Sequence, residues 1–126
     1  MELGHSKKIK LSVEEAEAKV RKALDKQGFG VMTKGDVKKA LGKAGIEFEK
    51  YVILGACYPK MAHKALQLNK EIGLLLPCNI IIYEKNQETI VSAINSKKAM
   101  YIIDISELKE IADFIDEKLK KIIEEL

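Results

Sequence analysis

From Leu108 to the end of the chain, apolar residues return with the period of a helix. Leu108, Ile111, Ala112, Ile115, Leu119, Ile122, Ile123 and Leu126 fall on one face, inside an arc of about 120° at the standard helical rotation. Lysines and acidic residues fill most of the rest of the circumference. A stripe this wide must be covered, so the chain has to lay this helix against a second apolar layer. Asp104 or Ser106 is placed to cap its start. A second helix of the same kind is expected over residues 12–27. There Ser12 and Glu15 form a Ser-x-x-Glu capping box, and Val13, Ala16, Val20, Ala23 and Leu24 make the buried stripe. Gly28 is its natural stop, because glycine takes the left-handed conformation nearly free of strain.

The covering layer reads as strand. Residues 5–11 alternate loosely and suit a short edge strand whose lysines discourage further pairing. "FGVMTKGDV" is a second strand, and "DVKKALGKAGIEFEK" a short helix broken by Gly42 and Gly45. "YVILGAC" (51–57) is apolar on both faces and therefore central. Pro59 opens the next helix at a position where its missing N–H is no loss, and that helix runs to about Asn69. "GLLLPCNIIIYE" (73–84) reads as a long strand, with Pro77 marking a bulge or an edge. Residues 85–88 turn a hairpin into "TIVSAI". Residues 95–104 match no single element. With more strands than helices, an antiparallel hairpin and well-separated amphipathic helices, the fold class is α+β. We expect a two-layer sandwich in which a mainly antiparallel sheet is covered by helices. A doubly wound parallel sheet fits less well, because a regular helix does not follow each strand. The 126 residues suit one domain, 1–126.

Charge narrows the function classes. Lysine and arginine number 22 against 19 acidic residues, interleaved along the chain, and Arg21 is the only arginine. Bidentate guanidinium contacts dominate phosphate and base recognition, so nucleic acid is not an expected partner. The longest apolar runs are too short to span a bilayer, and no membrane partner is expected. No signal-peptide pattern is present, and two cysteines in such a chain read as reduced, cytoplasmic thiols. "GFGVMTKG" opens no helix after a G-x-G-x-x-G spacing and is not a nucleotide loop.

The chemistry is concentrated in "YVILGACYPKMAHKAL". Cys57 stands where a strand ends and a proline-started helix begins. Helix N-terminal N–H groups there would favour the thiolate and make Cys57 a candidate nucleophile. The plain alternative is a small apolar residue closing the sheet. Cys78 lies in a more apolar segment and is the stronger core candidate, but it could join Cys57 as a redox couple or as soft metal ligands. His63, about 150° from the centre of its helix's apolar stripe, faces solvent or a partner. Cys57, His63 and Cys78 are then the candidate metal ligands, although they lack the short Cys-x-x-Cys spacing of specific zinc motifs. His5 has no motif tying it to them. Met61, Met100 and Tyr101 read as packing residues.

The segments "GFGVMT", "ILGACYPKMAHKAL" and "IGLLLPCNIII" together resemble the domain of unknown function 302 family of small bacterial and archaeal proteins. The resemblance runs from the first helix to the last. Its motifs fall on Gly28, Phe29, Gly30, Gly55, Cys57, Pro59, Ala62, Gly73, Pro77, Cys78 and Asn79. It implies a compact α+β domain, commonly a homodimer, with no established reaction and no specified cofactor. One position departs: the family's asparagine between cysteine and proline is Tyr58 here. Asparagine caps a helix well, whereas the tyrosine oxygen cannot reach the first amides. Either the helix begins without that cap or the phenol ring makes another contact.

Two functions follow as expectations. The first is a homodimeric binding module in which Cys57, Tyr58, Cys78 and Asn79 line a pocket for a small molecule or a soft metal. The second is a thiol-dependent redox or transfer enzyme with Cys57 as its catalytic residue.

Overall fold

The computed structural model describes residues 2–126. Its strands are β1 (Gly4–Ile9), β2 (Gly30–Asp36), β3 (Tyr51–Cys57), β4 (Cys78–Lys85) and β5 (Glu88–Ile94). Its helices are α1 (Val13–Lys26), α2 (Val37–Lys43), α3 (Pro59–Leu68), α4 (Ser96–Met100) and α5 (Ser106–Glu124), with a 3-10 helix at Lys70–Leu75. The strands form one sheet in the order β1-β5-β4-β3-β2, and every neighbouring pair is antiparallel. The fold is α+β with an antiparallel sheet covered by helices, as expected from the hairpin and from strands not regularly followed by helices.

One sheet face is the core. Val52, Leu54 and Ala56 on β3 pair in register with Ile82, Ile80 and Cys78 on β4; Ile82 and Ile80 in turn oppose Val91 and Ala93 on β5. All eight are buried, as a period of two demands when one face is covered. Helix α1 packs against β2 to β5 and α5 against β1 and β5, and the two helices touch each other. Their buried stripes, including Val13, Ala16, Val20, Leu24, Leu108, Ala112, Leu119 and Ile122, join the same cluster. Each fully buried aliphatic side chain of this kind contributes about 1.5–3 kcal/mol before entropy is counted. On the opposite face of the sheet, Tyr51, Ile53, Ile81, Tyr83 and Ile90 are only half-buried. Tyr51 and Tyr83 stack there across the strands with ring centroids 5.2 Å apart.

The local signals at the helix ends and the hairpin are realised. Ser12 and Glu15 form the full capping box, and Gly28 has φ +90°. The β4–β5 hairpin turns through Asn86 and Gln87, both with positive φ, the geometry that matches the twist of two-residue loops. At the β2 edge the register shifts between Val31 and Thr33, a bulge of the kind that blunts an exposed edge.

Three expectations are corrected. The 73–84 segment is not one long strand: Lys70–Leu75 is a 3-10 helix, the Leu76–Pro77 peptide is cis, and β4 begins only at Cys78. Because β4 is the middle strand, with partners on both sides, it has no place for a residue lacking an N–H. β3 is interior but one position off centre, beside the edge strand β2. Neither Asp104 nor Ser106 caps α5. The cap position is Ile105, with no side-chain bond, while Asp104 pairs with Lys109 at 3.0 Å. The unassigned stretch after β5 is α4, capped by Asn95, whose side chain accepts from the Lys98 N–H at 3.1 Å.

Candidate functional site

Cys57 and Cys78 come from different strands, and the β3–β4 register makes their backbones near neighbours. Ala56 stands opposite Cys78, so Cys57, the last residue of β3, is one step along from the first residue of β4. Both are free thiols, Cys57 partly exposed and Cys78 buried. They line one cavity of about 20 Å³, closed by Tyr58, Met61, Ala62 and Ala65 from the α3 side, by Leu76 and Met100, and by Ile111 and Ile115 of α5. Cys78, Leu76 and Met100 also border a second cavity of about 240 Å³, whose wall includes Asn79 and Ser96. A larger groove of about 530 Å³ between α3 and α5 shares Met61 and Ile111 with the small cavity but contains no thiol.

Of the expected ligand-binding residues, Cys57, Tyr58 and Cys78 therefore share the small cavity, and Asn79 joins Cys78 in the wider one. The expected metal set does not assemble. His63 is exposed on α3 and absent from the cavity wall. Among the described residues no three of His, Cys, Asp and Glu come together as a metal group.

Burial pushes the Cys57 thiol above its usual range, the opposite of the shift that a helix N-terminus would give. The Cys78 thiol is also raised, chiefly by burial, against the opposing pull of the Ser96 hydroxyl, with Cys57 and Asp116 adding to the rise. Both sulfurs therefore favour the protonated form.

Tyr58 begins α3 without a side-chain cap, with Pro59 following at the first turn. Its ring instead packs edge-on against Phe29 and Phe114, with centroids 5.3 and 5.2 Å away. The Lys118 ammonium stands 5.6 Å from the ring centroid. Gly28 makes room for this ring: a Cβ there would come within 3.0 Å of Tyr58 Cε2. Asparagine's capping role is thus replaced by an aromatic contact.

Other residues escaped the sequence reading. Asp116, on a helix whose glutamates are all exposed, is buried. Its Oδ1 accepts from the Ser96 N–H at 3.0 Å and lies 3.0 Å from His5 Nε2. Ser96 Oγ is in turn 3.9 Å from Cys78 Sγ. A polar chain thus runs His5–Asp116–Ser96–Cys78 under the sheet. Only the tertiary fold unites these four, so no spacing could have signalled it. Met61 and Met100, read as packing residues, stand on the cavity wall beside both cysteines.

The Domain of unknown function DUF302 family matches residues 5–126. A solved relative is the crystal structure of an uncharacterized conserved DUF302 protein from Bacillus stearothermophilus. It is 26% identical, covers 98% of both chains and superposes with a TM-score of 0.91. No curated protein matches the sequence. With the family matched over nearly all of its length and the fold shared end to end, the chain belongs to the DUF302 family.

Proposed function

We propose that this protein is a small homodimeric binding module that holds a small ligand or a soft metal beside Cys57 and Cys78. The observation that carries the reading is the shared cavity, which two distant cysteines of the sequence line together. Binding pockets combine mostly apolar walls with a few placed polar groups. Asn79 and Ser96 supply hydrogen-bonding groups in the adjoining cavity. Self-association is supported by the half-buried apolar face of Tyr51, Ile53, Ile81, Tyr83 and Ile90, since such a face is stabilised by a second apolar surface. Both cysteines are free, which suits a reducing, cytoplasmic setting. No helix among the described residues is long and apolar enough to cross a membrane.

The enzymatic alternative asks for a Cys57 thiolate at neutral pH. Burial moves that thiol the other way, so the binding reading is the better supported. Native mass spectrometry of the protein as purified tests it, with added soft metal ions as a second arm. A retained mass supports the module. A bare chain that takes up neither ligand nor metal overturns it.

A further inference from the structure

We propose that the groove between α3 and α5 binds a small organic cation, an amine carried on an apolar body, through Glu107 and Glu110. The site is separate from the cavity bordered by Cys57 and Cys78, because the groove contains no thiol. Helical spacing turns both of its walls inward. Met61, Lys64 and Leu68 fall within an arc of about 60° on α3, and Glu107, Glu110, Ile111 and Phe114 within about 100° on α5, at the standard rotation. Each wall is thus one face of one helix.

Met61, Leu68, Ile111 and Phe114 make the apolar part of these walls. Leu68 is 38% and Phe114 37% exposed, so both offer uncovered hydrocarbon to a guest. The groove encloses about 530 Å³, within the roughly 300–1,000 Å³ of small-molecule sites. From Met61 to Leu68, and from Glu107 to Phe114, each wall rises about 10 Å. A stable protein partner needs about 800 Å² on each side, far more than two turns of two helices present. The occupant is therefore a small molecule.

Charge sets the sign of the guest. Two carboxylates stand on the α5 wall against one ammonium, that of Lys64, on the α3 wall. The local excess is negative although the chain as a whole carries a formal charge of +3. Among the described residues none of these three groups forms an ion pair. Lys109, between the two glutamates in sequence, is taken up by Asp104 at 3.0 Å. Residues three apart on a helix have β-carbons about 5–6 Å apart, so both carboxylates reach one ammonium, and a cation between them relieves their repulsion. The Lys118 ammonium lies 5.2 Å from the Phe114 ring centroid. A cation already stands at that end, so the guest's amine sits by Glu107 and Glu110 and its apolar body lies along Ile111 and Phe114.

The test is an amide NMR titration of the full chain with probes that share one ring: cationic tryptamine, neutral 3-ethylindole and anionic indole-3-propionate. Tryptamine is expected to bind most tightly and indole-3-propionate least, with shifts centred on residues 61–68 and 107–114. The double variant Glu107→Gln/Glu110→Gln keeps the shape of both side chains. It should weaken tryptamine binding by about tenfold or more, through the loss of charge-assisted hydrogen bonds, and leave 3-ethylindole binding unchanged. Leu68→Ala should weaken both of those probes alike. No tryptamine binding at millimolar concentration, equal affinity in the glutamine variant, or preference for the anion would each overturn the proposal. So would shifts at the same residues that follow protein concentration and not the probe, since a second copy would then cover the groove. Native mass spectrometry of the cavity bordered by Cys57 and Cys78 is independent of these arms, so that reading stands or falls separately.

Discussion

At Gly55 a β-carbon would collide with Thr33 Oγ1 and come within 2.6 Å of Pro77 Cγ. The glycine lets Pro77 sit against β3 just before β4 begins, and so positions Cys78. Gly55→Ala should therefore cost about 1–3 kcal/mol by overpacking, measured by urea unfolding. A loss below about 0.5 kcal/mol would mean the proline has room to move. Asp116 is the second sensitive residue, because Ser96 N–H and His5 both depend on its carboxylate. Asp116→Ala should destabilise the fold by about 1–3 kcal/mol through the donors left without a partner. A variant as stable as the wild type would show that the His5–Asp116–Ser96 chain is incidental. The thiols give a pH dependence with a definite sign. Both are raised in the folded protein, so the unfolded chain gives up those protons first as pH rises. Their contribution is fully present below the unfolded thiol pKa, about 8.5, and is lost as pH climbs through the folded values. For the same reason iodoacetamide should alkylate Cys57 at neutral pH no faster than it alkylates a free-thiol model compound. Faster alkylation would restore the thiolate nucleophile.

Among the elements, α3 departs furthest from the family pattern, because Tyr58 stands where asparagine would cap it. Tyr58→Asn should add a cap of about 1 kcal/mol. It also removes two edge-on aromatic contacts, worth about 0.5–1.5 kcal/mol each beyond their buried area. The ring lies against Phe29, Phe114 and Gly28 and forms part of the cavity wall. The expected balance is a net loss of stability, seen as a lower thermal midpoint; a higher midpoint would show that capping outweighs the ring. Elements whose signals are local were legible in the sequence. The apolar period of α5, the Ser12–Glu15 box and the apolar run of 51–57 each depend on a few neighbouring residues. Where tertiary context decides, legibility ended. Pro77 was read as a bulge or an edge, whereas the place of β4 in mid-sheet puts it just before the strand starts. Asn95 was able to cap a helix, but α4 is five residues long, too short to show a period.

For the whole molecule, the site was half legible. Cys57 and Cys78 could be singled out as residue types at a strand end and before an apolar run. Their convergence needed the Ala56–Cys78 register, which no spacing of twenty residues encodes. Met61 and Met100 looked like filling because nothing local marks a methionine as facing a cavity. His63 belonged to the candidate set by proximity in sequence alone, and its exposed place on α3 separates it from the thiols. The open sheet face sets a further expectation at this scale. Ile53 and Ile81 oppose each other there beside the stacked Tyr51 and Tyr83. A charge at the centre of a self-association surface should disrupt it, so Ile81→Lys should shift sedimentation equilibrium from dimer to monomer. A wild type already monomeric at high concentration would remove the dimer from the account.

The central claim is that the cavity bordered by Cys57 and Cys78 belongs to a site that holds a guest. Native mass spectrometry of the protein as purified, with soft metal ions added in a second arm, tests this most directly. The account predicts a mass above that of the bare chain in one arm or the other. A bare chain in both would contradict it.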